Sequence, residues 1–218
     1  QFLERYRTSG RGRDEAQDLE ARELDYLAPQ LYWSVDARQQ SFASLLRWWA
    51  EQNPKKRHIW PGGSLYALGA GRDAAEIVRQ IRLTRMTSGV GGFIHWSARC
   101  LLQNRGRIGE TLETQVYTEE ALTPAFPWLD RTPPAQPSIK LLVGLVTSPL
   151  KLSWNVPAAD AVGHWVVQTK VDGRWQTDIL PGRQTSLSIA ASRKPEAIAV
   201  RAVDRCGNLS SPAGLARQ

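Results

Sequence analysis

The sequence predicts an α/β region followed by an all-β region, and three observations carry that reading. In the first half, apolar runs of strand type alternate with segments of helical spacing. A proline-rich run from Pro124 to Pro137 cannot continue a helix and reads as a stiff linker. Beyond it, short segments alternate polar and apolar residues between turn signals such as "DG", "PG" and "GN".

Taken in order, Asp14 to Leu24 has helical spacing, and "DYLAPQLYW" at residues 25–33 predicts the first strand, with Pro29 ending its regular pairing. After the polar loop "SVDARQQ", the segment "SFASLLRWWAEQN" sets Phe42, Leu45, Leu46 and Trp49 on one helical face. Ser41 is placed to cap that helix and Asn53-Pro54 to stop it. "RHIWPGGSLYALG" predicts a second strand carrying a tight Pro-Gly-Gly turn. "DAAEIVRQIRLTRMTS" predicts a helix capped by Asp73, apolar at Ile77, Ile81 and Leu83 to Met86, and closed by Gly89. "GVGGFIHWSA" predicts the third strand. The nearly continuous apolar runs suit parallel strands buried on both faces. In the later region "LKLSWNVP", "HWVVQTKVDGRWQTDI", "TSLSIA" and "EAIAVRAVDRCGN" predict an immunoglobulin-like β-sandwich, with Trp154 anchoring its core.

Composition narrows the functional classes. The 218 residues are 42% hydrophobic, which allows one large or two modest domains. The net charge of +7 suits an anionic partner, but a solvated basic face is the simpler reading and the one preferred. No apolar stretch reaches the ~20 residues of a membrane span, and "QFLERYRTSGRGRDE" lacks the apolar centre of a signal peptide, so any targeting segment is expected outside this chain. Cys100 and Cys206 form no CxxC pair, and with three histidines the chain offers little for a metal site. "GAGRD" at 69–73 lacks the Lys-Ser/Thr of a phosphate loop and reads as a turn. The reading assigns no metal, no cofactor and no nucleic-acid partner.

The ends of the three strands share one chemistry: Tyr32 and Trp33, then Trp60, then His95 and Trp96. In parallel α/β folds functional groups collect at the C-terminal ends of strands. Sugar rings present C–H faces and hydroxyl edges, so a site for them needs aromatic platforms beside hydrogen-bonding groups. Gln30, Tyr32, Trp33, Trp60, His95 and Trp96 supply that mixture; a single large aromatic more often fills the space between strands and helices, and it is the repetition at three strand ends that points to a glycan site. His95 could bond a sugar hydroxyl, assist a proton transfer or be satisfied structurally.

"DYLAPQLYW", the Trp48-Trp49 pair, "PGGSLYALG", "EIVRQIRLTR", "GGFIHWSA" and "EALTPAFPWLD" together resemble the glycosyl-hydrolase-like-10 family of bacterial TIM-barrel proteins, over about Asp14 to Asp130. "AVDRCGNLSSPA" resembles the end of a fibronectin type III module. The resemblance implies the C-terminal half of a (β/α)8 barrel over residues 1–130, a linker at 131–138 and a fibronectin type III-like sandwich at 139–218. It implies cleavage of glycosidic bonds, with at least one family member acting on peptide-free peptidoglycan strands, and it adds Tyr66 and Gly62 to the expected sugar-binding residues. It also implies an exported protein, periplasmic or attached to the outer membrane, with cell-wall or division proteins as partners of the sandwich.

Three strands cannot close a barrel, and glycoside hydrolysis needs two carboxyl groups. The family's Asp-Asp strand end has no counterpart here. Asp36 alone lies just past a strand tip and is the weak catalytic candidate, with capping or loop duty as its alternative, while Asp14, Asp18, Glu20, Glu23, Glu51 and Glu76 lie on or beside helices. The expectation is a glycoside hydrolase whose catalytic carboxylates lie upstream; the alternative is a non-catalytic glycan-binding or scaffolding protein of the cell wall.

Overall fold

The computed structural model describes residues 24–142, 149–156, 162–190, 192–193 and 195–216. The helix expected over Asp14–Leu24 thus lies almost wholly outside the described residues. The chain divides into two compact units, Gln1–Thr118 and Glu119–Gln218.

The described part of the first unit contains β1 (Tyr26–Leu27), α1 (Phe42–Glu51), β2 (His58–Ile59), β3 (Gly62–Ser64), α2 (Ala74–Met86), β4 (Ile94–Trp96), α3 (Ala98–Leu102), a 3₁₀ turn (Arg105–Arg107) and α4 (Ile108–Gln115). β1 pairs in parallel with β2, and β3 with β4. A parallel bridge between Gln30 and Gly62 continues the first pairing upward. Three parallel chain segments therefore lie side by side, with α1 and α2 on the connections between them.

Local chemistry explains the helices. The Ser41 hydroxyl accepts the Ser44 N–H at 3.1 Å and starts α1, whose Phe42, Leu45, Leu46, Trp48 and Trp49 are all buried. These side chains pack with Leu31 and Ile59 from the strands. Asp73 caps α2 by accepting the Ala75 N–H at 3.1 Å. Ile77, Val78 and Ile81 of α2 join Leu65, Leu68, Cys100, Ile108 and Leu112 in a second cluster. The apolar stripe of α2 ends earlier than its sequence suggests, because Met86 is 83% exposed beside the closing turn.

Two details of the strands differ from expectation. Pro29 does not end the pairing: its carbonyl accepts the Gly62 N–H at 2.8 Å and Leu31 N–H donates to the Gly62 carbonyl at 2.9 Å. A proline lacks only the donor, and here its acceptor is the group used. Likewise Gly62-Gly63 is buried strand rather than a turn. Gly63 is glycine for packing, since a Cβ there would overlap the Phe93 ring.

The second unit is a sandwich of a four-stranded sheet, in the order β11-β10-β7-β8, and a three-stranded sheet, β5-β6-β9. Its strands are β5 (Ser138–Leu142), β6 (Leu150–Asn155), β7 (His164–Val171), β8 (Arg174–Pro181), β9 (Ser186–Ile189), β10 (Ala197–Val203) and β11 (Ala213–Ala216), all paired antiparallel. Inward-facing Leu152, Trp154 and Ile189 of one sheet meet Trp165, Val167, Ile198, Val200 and Ala202 of the other. Trp154 and Trp165 meet edge to face with ring centres 6.1 Å apart. The β7–β8 hairpin turns through Asp172 and Gly173, both at positive φ, as the twist of a two-residue hairpin requires.

The proline-rich run belongs to this unit. Phe126 N–H donates to the Cys206 carbonyl at 2.7 Å, and the Gln136 amide donates to the Pro212 carbonyl at 2.6 Å. Just before it, a Glu120 carboxylate oxygen accepts the Ile179 N–H at 2.9 Å on the outer strand β8. Among the described residues no helix is long and apolar enough to cross a membrane. Cys100 and Cys206 are free thiols.

Candidate functional site

Strand alternation sorts the expected residues onto two faces of the parallel segments. A Cβ on Gly63 would meet Phe93 and, at 3.3 Å, the Gln80 side chain of α2, so Gly63 and its register partner His95 face the helices. A Cβ on Gly62 would stand 3.7 Å from the Tyr32 ring, which puts Tyr32 on the opposite face with Ile94, Ser64 and Trp96, the partners of Gly62 and its neighbours.

That opposite face carries the aromatic cluster at the C-terminal ends. Leu65 N–H donates to the Trp96 carbonyl at 2.7 Å, drawing the ends of the last two segments together. The Ser97 hydroxyl lies 3.4 Å from the Tyr66 hydroxyl. The Trp96–Ser97 peptide is cis. Tyr66 is 51% exposed and Trp96 52% exposed, so both rings are open to a ligand. Burial first, and then the neighbouring Tyr66, hold the Tyr32 phenol above its ordinary value. Tyr32, Gly62, Tyr66 and Trp96 thus come together, joined by Ser97.

Three side chains of α2 and its approach fix the end of the first segment. The Arg72 guanidinium donates to the Tyr32 carbonyl at 2.9 Å and to the Ser64 carbonyl at 3.1 Å, tying two strand ends to one rigid fork. Gln80 donates to the Trp33 carbonyl at 2.9 Å. Glu76 accepts the Val35 N–H at 2.7 Å and the Gln80 amide at 3.1 Å. These bonds hold the backbone beneath the exposed Trp33 ring.

Other expected residues stand elsewhere. Trp60 lies below the ends, with the Tyr26 ring centre 4.6 Å and the His58 ring centre 5.5 Å from its own in near-parallel contacts, and a Cβ on Gly92 would come within 2.7 Å of its ring. Strand pairing continues past Trp60 to Ser64, so Tyr66 rather than Trp60 marks the tip. Gln30 is exposed and shares its backbone bridge with Gly62. Asp36 is 73% exposed at its side chain and paired with Arg79 at 2.8 Å, a surface ion pair that gives its carboxylate a structural partner.

His95 turns away from Trp96. Its Nε2 is 2.9 Å from the Tyr117 hydroxyl, and the Phe93 ring centre is 5.0 Å away. Burial pushes the imidazole down to about 4, so it is neutral near pH 7 and suited to a structural hydrogen bond. The sign follows. Unfolded histidine binds its proton near pH 6.5 and the folded one only near 4, so this group's contribution to stability is present above about 6.5 and lost as pH falls towards about 4. Urea titrations between pH 7 and 4 should show a falling midpoint, and H95F should flatten that fall; an unaltered slope would show His95 to be ordinary.

Sequence reasoning missed Arg72, Ser97 and Tyr117. Nothing local marks Arg72 or Tyr117, whose partners are 40 and 22 residues away. Ser97 follows Trp96 directly and could have been included with the strand end.

No family model matches the chain. A curated relative, the glycosyl hydrolase YngK of Bacillus subtilis (strain 168), is 35% identical over 123 residues, covering 54% of this chain and 24% of that protein. Half of the chain is thus similar to part of a glycosyl hydrolase. The chain spans about a quarter of that relative's length. Among solved structures, the fn3 domain of the human collagen alpha-1(XX) chain is 21% identical, with 40% of this chain and 84% of that one covered at a TM-score of 0.31. An Fn3-like protein from Clostridium thermocellum is 18% identical, with 38% and 90% covered at a TM-score of 0.28. The sandwich itself is established by the strand pairing described above.

Proposed function

We propose that the chain is part of a bacterial cell-envelope glycoside hydrolase, and that the ends of its parallel segments bind a peptidoglycan-type glycan strand free of peptides. The observation that carries this reading is the convergence of Tyr32, Tyr66, Trp96 and Ser97, two of the rings half exposed, on one face at the C-terminal ends of three parallel segments. Flat rings take the C–H faces of a sugar, and the phenols and Ser97 hydroxyl take its edge. The similarity to a named glycosyl hydrolase supports the reaction class. The first unit then belongs to a (β/α)8 barrel completed by strands outside this chain, and those strands supply the carboxylate pair that hydrolysis needs. The sandwich contacts wall or division proteins outside the cytoplasm.

A second reading, a glycan-binding or scaffolding protein without chemistry, is favoured by the state of the carboxylates near the strand ends. Asp36 is paired with Arg79, and Glu76 is bonded to Val35 and Gln80.

The test is incubation of the full-length protein with peptide-free glycan strands, scored by new reducing ends, alongside binding to the same strands. W96A should weaken binding about tenfold, an order of magnitude expected for losing one stacking ring. Unchanged binding would remove the site. Binding without new reducing ends would leave the scaffolding reading.

A further inference from the structure

We propose that Arg105 is a specificity-determining residue of this site, and that it recognises a carboxylate carried by the glycan. The inference rests on the glycan reading above and adds the residue that selects for an acidic substituent on the sugar.

Four observations converge on Arg105. Its guanidinium carbon lies 6.0 Å from the centre of the Tyr66 ring, at the rim of the aromatic cluster. Its Nε donates to the Gln103 side chain at 2.9 Å, which orients the planar group and leaves the two terminal nitrogens directed away from that bond. No carboxylate pairs with it among the described residues, whereas nearby Arg107 is paired with Glu110 and Arg79 with Asp36. The turn that presents it is held in place. Asn104, Gly106 and Arg107 all have positive φ, the Asn104 side chain accepts the Gly109 N–H at 2.9 Å, and a Cβ on Gly106 would stand 3.5 Å from Leu68, in the segment that follows Tyr66. Non-glycine residues in the left-handed region persist where the surroundings enforce them, and such sites are enriched at functional positions.

An oriented arginine beside an aromatic ring, with a free fork, is the arrangement that takes a carboxylate through two parallel charge-assisted bonds. The second guanidinium of the rim, Arg72, is committed to the Tyr32 and Ser64 carbonyls but keeps its positive charge. The rim is therefore electropositive, with rings for a sugar face and one uncommitted fork for an acidic substituent. A neutral glycan would leave that fork facing water.

Two sources share this chemistry: a glycan with a lactyl-ether carboxylate, as in muramic acid, and a polyuronate. The experiment measures binding of the full-length protein to three probes by calorimetry: peptide-free muramate-containing strands, an oligouronate and a neutral N-acetylglucosamine oligomer. The readout is the ratio of affinity for each acidic probe over the neutral one, in the wild type, R105A and R105K. The expected result is a wild-type ratio of about ten or more for one acidic probe, a ratio near one in R105A, and an intermediate ratio in R105K, which keeps charge but lacks the fork. Whichever acidic probe shows the ratio identifies the source. A wild-type ratio near one for both, or a ratio that survives in R105A, overturns the proposal while leaving glycan binding standing. Failure of all three probes to bind overturns the glycan reading itself. Thermal unfolding of each variant checks that the exchange has not unfolded the protein.

Discussion

W49A is expected to destabilise the first unit by about 3–5 kcal/mol, the cost of truncating a fully buried aromatic. Trp49 is fully buried, and its ring centre is 4.7 Å from that of Trp48 in an edge-to-face pair. The two indoles sit with Phe42, Leu45 and Leu46 against Leu31 and Ile59, the strand residues on the face behind the candidate site. Close-packed interiors relax only partly around a deleted ring, so most of the cavity would remain. Urea unfolding followed by tryptophan fluorescence and, independently, by far-ultraviolet circular dichroism measures the loss. A change below ~1 kcal/mol would mean that the α1 core tolerates collapse far better than its packing indicates. W49F should recover much of the loss.

W165A should act on the sandwich by a similar amount, about 3–5 kcal/mol, through two separable effects. The ring is 2% exposed between the sheets, against Trp154. Its indole N–H also donates to the Gly182 carbonyl at 2.9 Å, linking β7 to the turn after β8. W165F keeps most of the apolar volume but loses the donor, leaving that carbonyl without this partner, and should cost about 1–2 kcal/mol. Calorimetric unfolding of both variants separates the contributions. If W165F proved as damaging as W165A, the hydrogen bond rather than the packing would dominate the sandwich core.

What could be read from the sequence follows the range of the interactions. Ser41 and Asp73 were recognisable as caps because a cap is a contact within three residues, and the turn at Asp172-Gly173 because its dihedral angles demand such residues. The parallel pairing was legible from the alternation of elements. Strands β5 and β11 escaped notice: "SIKLL" sits beside prolines, and "AGLA" has little side chain to show a period of two. Tyr32, Tyr66 and Trp96 can each be picked out from the sequence, but which side of a strand each takes depends on register. A shift of one residue reverses every side chain, and this is how Trp96 joins the open face while His95 turns to Tyr117. Arg105 illustrates the further limit. One arginine among the 28 basic residues becomes distinctive only when its neighbours are seen to be paired and it is not.

The Glu120 carboxylate on the Ile179 N–H has a bearing on how copies of this protein tolerate one another. An outer strand of eight residues, with an exposed Trp175, is a ready template for a strand of another molecule. A carboxylate bonded to the backbone of that strand occupies one docking point and would meet any approaching carbonyl with negative charge. That N–H is thereby closed to a strand of another molecule, an obstacle to edge-to-edge pairing that lies within the fold itself and does not depend on concentration.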